Sequence, residues 1–304
     1  MNFNSIIGNN EVKSLLDNLI KTNNVVHSYM FVGPDGIGKF LFAKEFAKMI
    51  LCQDTNKACG QCSSCIKFDS NNHPDFMPLD YEDGKNIKIG QIRALQESIS
   101  EKPIVSDKKV YIINNSDLMT VEAQNCLLKT LEEPPEYAII ILVLSNENKL
   151  LSTIKSRCTK VSFHKLTNED LMQYSNQNNL EVNSSLLSAC DGSIAKLLNL
   201  QNNFDAYVQL DNIINSFSNK DIIDIWNSAD ILYKSKDSIN TLLEYFNTVF
   251  LEKLKSTKDS KYIKAVKVVE DTKNRLSSNA NYDMCIDNLL LQIWEDFNES
   301  YNRG

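Results

Sequence analysis

The feature that most constrains this chain is an apolar run, Tyr29-Met30-Phe31-Val32, leading straight into Gly33-Pro34-Asp35-Gly36-Ile37-Gly38-Lys39-Phe40. The run reads as a buried strand, and the glycine stretch opens an amphipathic helical pattern carrying Leu41, Phe46 and Ile50. In that context Gly-x-x-x-x-Gly-Lys is a phosphate-binding loop. Glycines let backbone N–H groups wrap phosphate, the helix N-terminus adds its positive end, and the lysine reaches the outer phosphates. Gly33, Gly36, Gly38 and Lys39 are therefore the candidate nucleotide-contacting residues, against the plainer reading of a strand–turn–helix connection. Phe40 stands where the magnesium-binding hydroxyl belongs.

The rest of the first half alternates strand and helix. Val12, Leu15, Leu16, Leu19 and Ile20 share one helical face, Asp75 to Leu79 reads as a short strand, and Ile92, Leu95 and Ile99 mark another helix. Val110 to Ile113 is a further strand, Val121 to Leu131 a helix stopped by Pro134-Pro135, and Ala138 to Leu144 a strongly apolar strand. Such alternation predicts an α/β fold with a parallel sheet covered on both faces. Beyond Phe163 the strand signals stop; Thr167-Asn168-Glu169-Asp170 resembles a capping box, and helical patterns run to about residue 300. We place one boundary near 164 and a second near 205, giving residues 1–163, 164–205 and 206–304. A chain of 304 residues suits about two ordinary domains.

A formal charge of −7 disfavours a free-standing nucleic-acid binder, since neutralising phosphates takes clustered cations. No apolar run reaches membrane-spanning length and Met1-Asn2-Phe3-Asn4 opens no secretion signal, so the expected location is the cytoplasm, with no membrane partner.

Four of the eight cysteines, Cys126, Cys158, Cys190 and Cys285, are scattered and read as small buried residues. The other four form Cys52-x6-Cys59-x2-Cys62-x2-Cys65. Four thiolates complete a tetrahedral shell around zinc with no open position, which makes the site structural. Chance clustering of buried cysteines suits Gly60, Gln61 and the serines around them poorly, and a redox pair at Cys62 and Cys65 leaves Cys52 and Cys59 unexplained. His73 is a reserve ligand for the same ion.

Hydrolysis needs more than a loop: magnesium held by a hydroxyl and an acid, and a base to position water. The acid would follow Val110-Tyr111-Ile112-Ile113, where the chain has Asn114-Asn115. Neutral amides supply neither the charge nor the base, and Asp117 would need an unusual turn to substitute. No magnesium site is expected, ATP turnover is not expected, and ATP or ADP binding stays open because Lys39 and the glycines remain.

Taken together, several segments resemble the subunits of the bacterial DNA polymerase III clamp loader, within the AAA+ superfamily, and among them the delta-prime type. They are Ile6-Ile7-Gly8-Asn9; His27 to Pro34; the cysteine module followed by His73-Pro74-Asp75; Lys109 to Ile113; Ala123 to Pro135; and Leu151-Ser152-Thr153-Ile154-Lys155-Ser156-Arg157-Cys158. The resemblance implies an AAA+ core, a small helical lid over 164–205 and an all-helical collar over 206–304. It also implies a pentameric ring with gamma/tau and delta subunits, in which ATP bound between subunits drives loading of a sliding clamp onto primed DNA. Delta-prime subunits commonly leave hydrolysis to their neighbours and supply the arginine of Ser-Arg-Cys, here Arg157, to the adjacent site. The chain has only four arginines, Arg93, Arg157, Arg275 and Arg303, so an arginine at 157 is not compositional habit. By the same resemblance Ser145-Asn146 takes the sensor-1 position and Lys196 the sensor-2 position, where arginine is usual. The competing expectations are an active gamma/tau-type ATPase and a zinc-dependent DNA-binding module.

Overall fold

A computed structural model of the chain describes residues 3–55, 57–81, 86–278 and 280–298. These residues form two compact units, 1–170 and 171–304.

The first unit is built on a five-stranded, wholly parallel sheet in the order β2-β3-β4-β1-β5. In chain order its elements are α1 (Asn10–Lys21), β1 (Ser28–Val32), α2 (Lys39–Leu51), α3 (Ser63–Asp69), β2 (Phe76–Leu79), α4 (Ile89–Ser100), β3 (Lys109–Ile113), α5 (Val121–Glu132), β4 (Ala138–Leu144), α6 (Ser152–Lys155) and β5 (Thr159–Ser162). The α/β class expected from the alternation is the one observed. Side-chain alternation sends Tyr29, Phe31, Val110, Ile112, Ile139, Ile141 and Val143 to the face shared with α1 and α2. Met30, Tyr111, Ile113, Ile140 and Leu142 go to the face shared with α4 and α5. With helices on both sides, the central strand β4 is buried at all seven positions, which is why it reads as one apolar run. Pro78 is tolerated because β2 is an edge strand.

Three local expectations change. Leu15 and Leu41 are 45% and 49% exposed: the buried stripe of α1 runs through Val12 and Leu16, and that of α2 through Phe42, Phe46 and Met49. A fifth strand, β5, was not predicted; only Val161 of its four residues is buried, so the sequence carries no periodic signal there. The one-turn helix α6 was also not predicted.

The second unit is helical: α7 (Asn168–Gln177) begins just before it, followed by α8 (Ser184–Ala189), α9 (Ile194–Gln201), α10 (Phe204–Ser216), α11 (Ile222–Ser228), α12 (Asp230–Lys234), α13 (Ile239–Thr257), α14 (Lys261–Ser277) and α15 (Tyr282–Asn298). The capping box is present at α7, with Thr167 N–H donating to Asp170 and Asp170 N–H to Thr167 Oγ1. Leu242, Leu243, Phe246 and Phe250 of α13, and Leu289, Leu290 and Ile293 of α15, are buried as their spacing predicts. Trp294 instead sits at the edge, its indole N–H donating to Lys220 O at 3.0 Å. No helix among the described residues is long and apolar enough to cross a membrane.

Candidate functional site

In a parallel sheet every strand ends on the same rim, so residues after β1, β2, β3 and β4 meet at one edge and residues before them at the other. Gly33–Gly38 follows β1 and lies on the C-terminal rim. Its shape is set by backbone need: a Cβ on Gly33 would come within 2.7 Å of Phe163, and Gly38, capping α2, has φ +91°. Lys39 opens α2 but does not reach outward. Its ammonium donates to Gly33 O at 2.7 Å, Pro34 O at 2.6 Å and Ser145 Oγ at 3.3 Å, spending its three N–H groups on the protein itself. Ser145 in turn donates to Asp35. Lys39 is only 6% exposed, and that burial lowers its pKa against the pull of Asp35 and Asp117. Phe40 is half-buried and packs on the apolar face beneath α2.

On the same rim Asn114 and Asn115 follow β3. Their amides donate to the two oxygens of one carboxylate, Asp80, at 2.7 and 3.0 Å. The sequence analysis does not single out Asp80; its one signal is that of an acid after an apolar strand, and that strand is β2, whereas the acid is expected after β3. Asp117 lies in a short 3-10 turn entered through left-handed Asn115 (φ 48°), and its carboxylate accepts from Asn146 N–H at 3.3 Å. Asp80 and Asp117, the acids of this rim that follow β2 and β3, are thus engaged by neutral groups of the protein, while Asp35 within the loop lies 3.9 Å from the Lys39 ammonium.

Arg157 lies on the other rim. It follows α6 and comes two residues before Thr159, the β5 residue that pairs with Tyr29 at the start of β1, whereas the glycine loop follows the end of β1. Its Nη2 meets Glu132 Oε1 at 2.8 Å, and its Nη1 donates to Thr153 O at 2.9 Å and, more weakly, to Ser156 Oγ at 3.4 Å. The side chain is 34% exposed.

The cysteine module begins where α2 ends. Cys52 Sγ lies 3.7 Å from Cys59 Sγ and 3.9 Å from Cys62 Sγ, and Cys59 Sγ lies 4.0 Å from Cys65 Sγ. All four sulfurs fall within 4.8 Å of one another. A tetrahedron with metal–sulfur bonds of about 2.3 Å needs sulfurs about 3.8 Å apart, so this donor set fits a metal such as zinc. Backbone N–H groups already face the sulfurs: Cys62 N–H points at Cys59 Sγ and Cys65 N–H at Cys62 Sγ, at 3.3 and 3.4 Å. Burial works against ionising Cys62, but backbone N–H groups of Cys65 and Gln53 and the thiols of Cys59 and Cys65 bring it down to about 6, while burial and its neighbours push Cys65 up. The Cys62 side chain also caps α3.

His73 is not a reserve ligand. Asp75 N–H donates to its Nδ1 at 3.1 Å, so Nε2 carries the proton and faces Ser64 Oγ at 2.9 Å, and Ser64 passes its own hydrogen to Leu51 O at 2.7 Å. Burial lowers the pKa of His73, keeping it neutral. Asp75 was not singled out as a site residue either. Its buried carboxylate accepts three backbone N–H groups, from Ile104, Val105 and Ser106, at 2.7, 2.7 and 2.8 Å. Gln53 Nε2 reaches Val105 O and Ser106 Oγ reaches Leu51 O, so the 103–106 segment is tied to the cysteine module. Lys196 is an exposed residue of α9, in the second unit.

A family model described as "DNA polymerase III, delta subunit" matches residues 8–167. The chain is 41% identical over 156 residues to the DNA polymerase III subunit delta' of Bacillus subtilis strain 168, covering 51% of this chain and 47% of that protein. It is 36% identical to the subunit delta' of Pseudomonas aeruginosa over 44% of this chain and 42% of that one. It is also 37% identical to the DNA polymerase III subunit gamma/tau of Mycoplasma pneumoniae, over 56% of this chain and 25% of that protein. The matched stretch thus spans less than half the length of each of these relatives.

Proposed function

Because the chain belongs to the DNA polymerase III delta-subunit family through residues 8–167, with delta' subunits among its relatives, we propose that it is a delta-prime-type member of the clamp loader that turns over no ATP itself and assists a neighbour that does. The observation that carries this reading is the contrast between the rims. On one, the lysine of the loop is spent on loop carbonyls, and Asp80 and Asp117, the acids after β2 and β3, are engaged by neutral donors. On the other, an arginine is anchored but partly open. From the far end of the sheet Arg157 cannot serve its own loop; a nucleotide it touches belongs to another chain.

In this reading the Arg157 guanidinium, a planar fork of N–H donors, neutralises charge on the γ-phosphate held by the adjacent subunit. Gly33, Gly36, Gly38 and Lys39 serve as a scaffold turn between β1 and α2. Cys52, Cys59, Cys62 and Cys65 hold a structural zinc ion, which closes the module between α2 and α3 and leaves no coordination position for chemistry. The helices over 164–205 act as lid and those over 206–304 as collar, within a pentameric ring with gamma/tau and delta subunits that acts on the sliding clamp and primed DNA in the cytoplasm.

Similarity to gamma/tau subunits favours a second reading, an active ATPase. Two measurements separate them. The isolated chain should show no magnesium-dependent ATP turnover; turnover abolished by Lys39→Ala would establish the second reading instead. In the reconstituted assembly Arg157→Ala should cut turnover at the adjacent site by about 10³–10⁵-fold with the ring intact. Wild-type turnover in that variant would remove the arginine's role.

A further inference from the structure

Arg157 is held by a residue whose position helix energetics do not explain. Glu132 is the last residue of α5, where the helix dipole disfavours a carboxylate, and Glu133-Pro134-Pro135 stops the helix immediately after it. Its carboxylate meets Arg157 Nη2 at 2.8 Å. The two residues ride on elements fixed to one core: Leu127 and Leu131 of α5 and Ile154 of α6 are buried in the same apolar cluster. The guanidinium is therefore gripped from two directions, by Glu132 at Nη2 and by Thr153 O at Nη1. Nη2 carries a second N–H, which no described residue takes, and the side chain remains 34% exposed.

We infer that Glu132 is a positioning residue for Arg157: it fixes the plane of the guanidinium so that the remaining N–H groups point at an anion presented by a neighbouring chain. This rests on the reading of Arg157 as acting on a neighbour's nucleotide. An arginine side chain has many rotamers in water, and presetting one removes the ordering cost at the moment of reaction. A half-exposed ion pair adds little to stability by itself, so a stabilising role is the weaker account of the pair.

The test is steady-state ATP turnover by the assembly reconstituted from the full chain and its ATP-hydrolysing partners. Glu132→Ala should lower kcat about tenfold while KM for ATP stays within about twofold. Glu132→Gln, whose amide oxygen still accepts from Nη2, should recover most of that loss, and adding Glu132→Ala to Arg157→Ala should cost nothing further. The recovery by glutamine and the lack of additivity are outcomes that general loosening of α5 would not produce. If Arg157→Ala impairs turnover but Glu132→Ala matches or exceeds wild type, or if the two losses add, the positioning role is overturned and the arginine's own role stands. If Arg157→Ala has no effect, both fall together.

Discussion

The two rims of the sheet make opposite use of a cation. On the C-terminal rim Lys39 is buried, and its three donors are taken by Gly33 O, Pro34 O and Ser145 Oγ. On the N-terminal rim Arg157 makes two short bonds and stays one-third exposed. The same rim carries the dense polar construction of the domain, with the cysteine module at the end of α2 and the Asp75 carboxylate just before β2. On the proposed reading, the donors left unspent, and not position on a phosphate-loop fold, mark where chemistry is done. Damage to the N-terminal rim should cost far more than damage to the loop, which makes the contrast breakable.

The largest effect should come from the cysteines. Zinc content of about one ion per chain should be lost in Cys62→Ser, and unfolding free energy should fall by several kcal/mol, because metal binding is folding free energy in such modules. Elemental analysis with urea unfolding measures both, and unchanged zinc content in the variant would reject the metal assignment. Next comes Asp75→Asn. The amide keeps only one acceptor oxygen for three backbone N–H groups, two of them partly buried, and turns an NH2 toward them inside the buried site of Asp75, so a loss of about 2–4 kcal/mol is expected. A loss below about 0.5 kcal/mol would show that the 103–106 segment does not depend on this carboxylate.

A pH effect of smaller size follows from His73. Its pKa is lowered below the ordinary value of 6.5 by burial, so the folded state resists the proton that the unfolded chain accepts. The stability it protects is complete above about pH 6.5 and is lost as pH falls through the lower folded value. In His73→Gln this dependence is absent, so the stability gap between wild type and variant should narrow from pH 8 to pH 5. A gap that is constant across that range would contradict the neutral, Nδ1-accepting imidazole.

Legibility followed the range of each interaction. β4 was read residue for residue because every position is buried, while β5, with one buried residue in four, left no trace. The glycine loop and the cysteine module were legible because their members are neighbours in sequence. Asp80 meets Asn114 and Asn115 across 34 and 35 residues, through the pairing of β2 with β3, which no local pattern encodes. Asp75 binds backbone N–H groups, and those have no sequence signature at all. Glu132 was visible only as part of a resembling segment; its partner lies 25 residues on, across a strand.

The smallest effect should be Lys39→Met, which bears on the comparison from the side of the loop. Replacement removes a buried ammonium whose pKa burial has lowered, so a desolvation cost disappears along with three hydrogen bonds. The two terms oppose each other, and the net change in unfolding free energy should lie within about 1 kcal/mol of zero. ATP turnover by the assembly should likewise match wild type, in contrast to Arg157→Ala. If Lys39→Met instead depressed turnover at constant stability, the lysine would have to leave Gly33 O and Pro34 O to meet a phosphate. The two rims would then differ in resting posture and not in function.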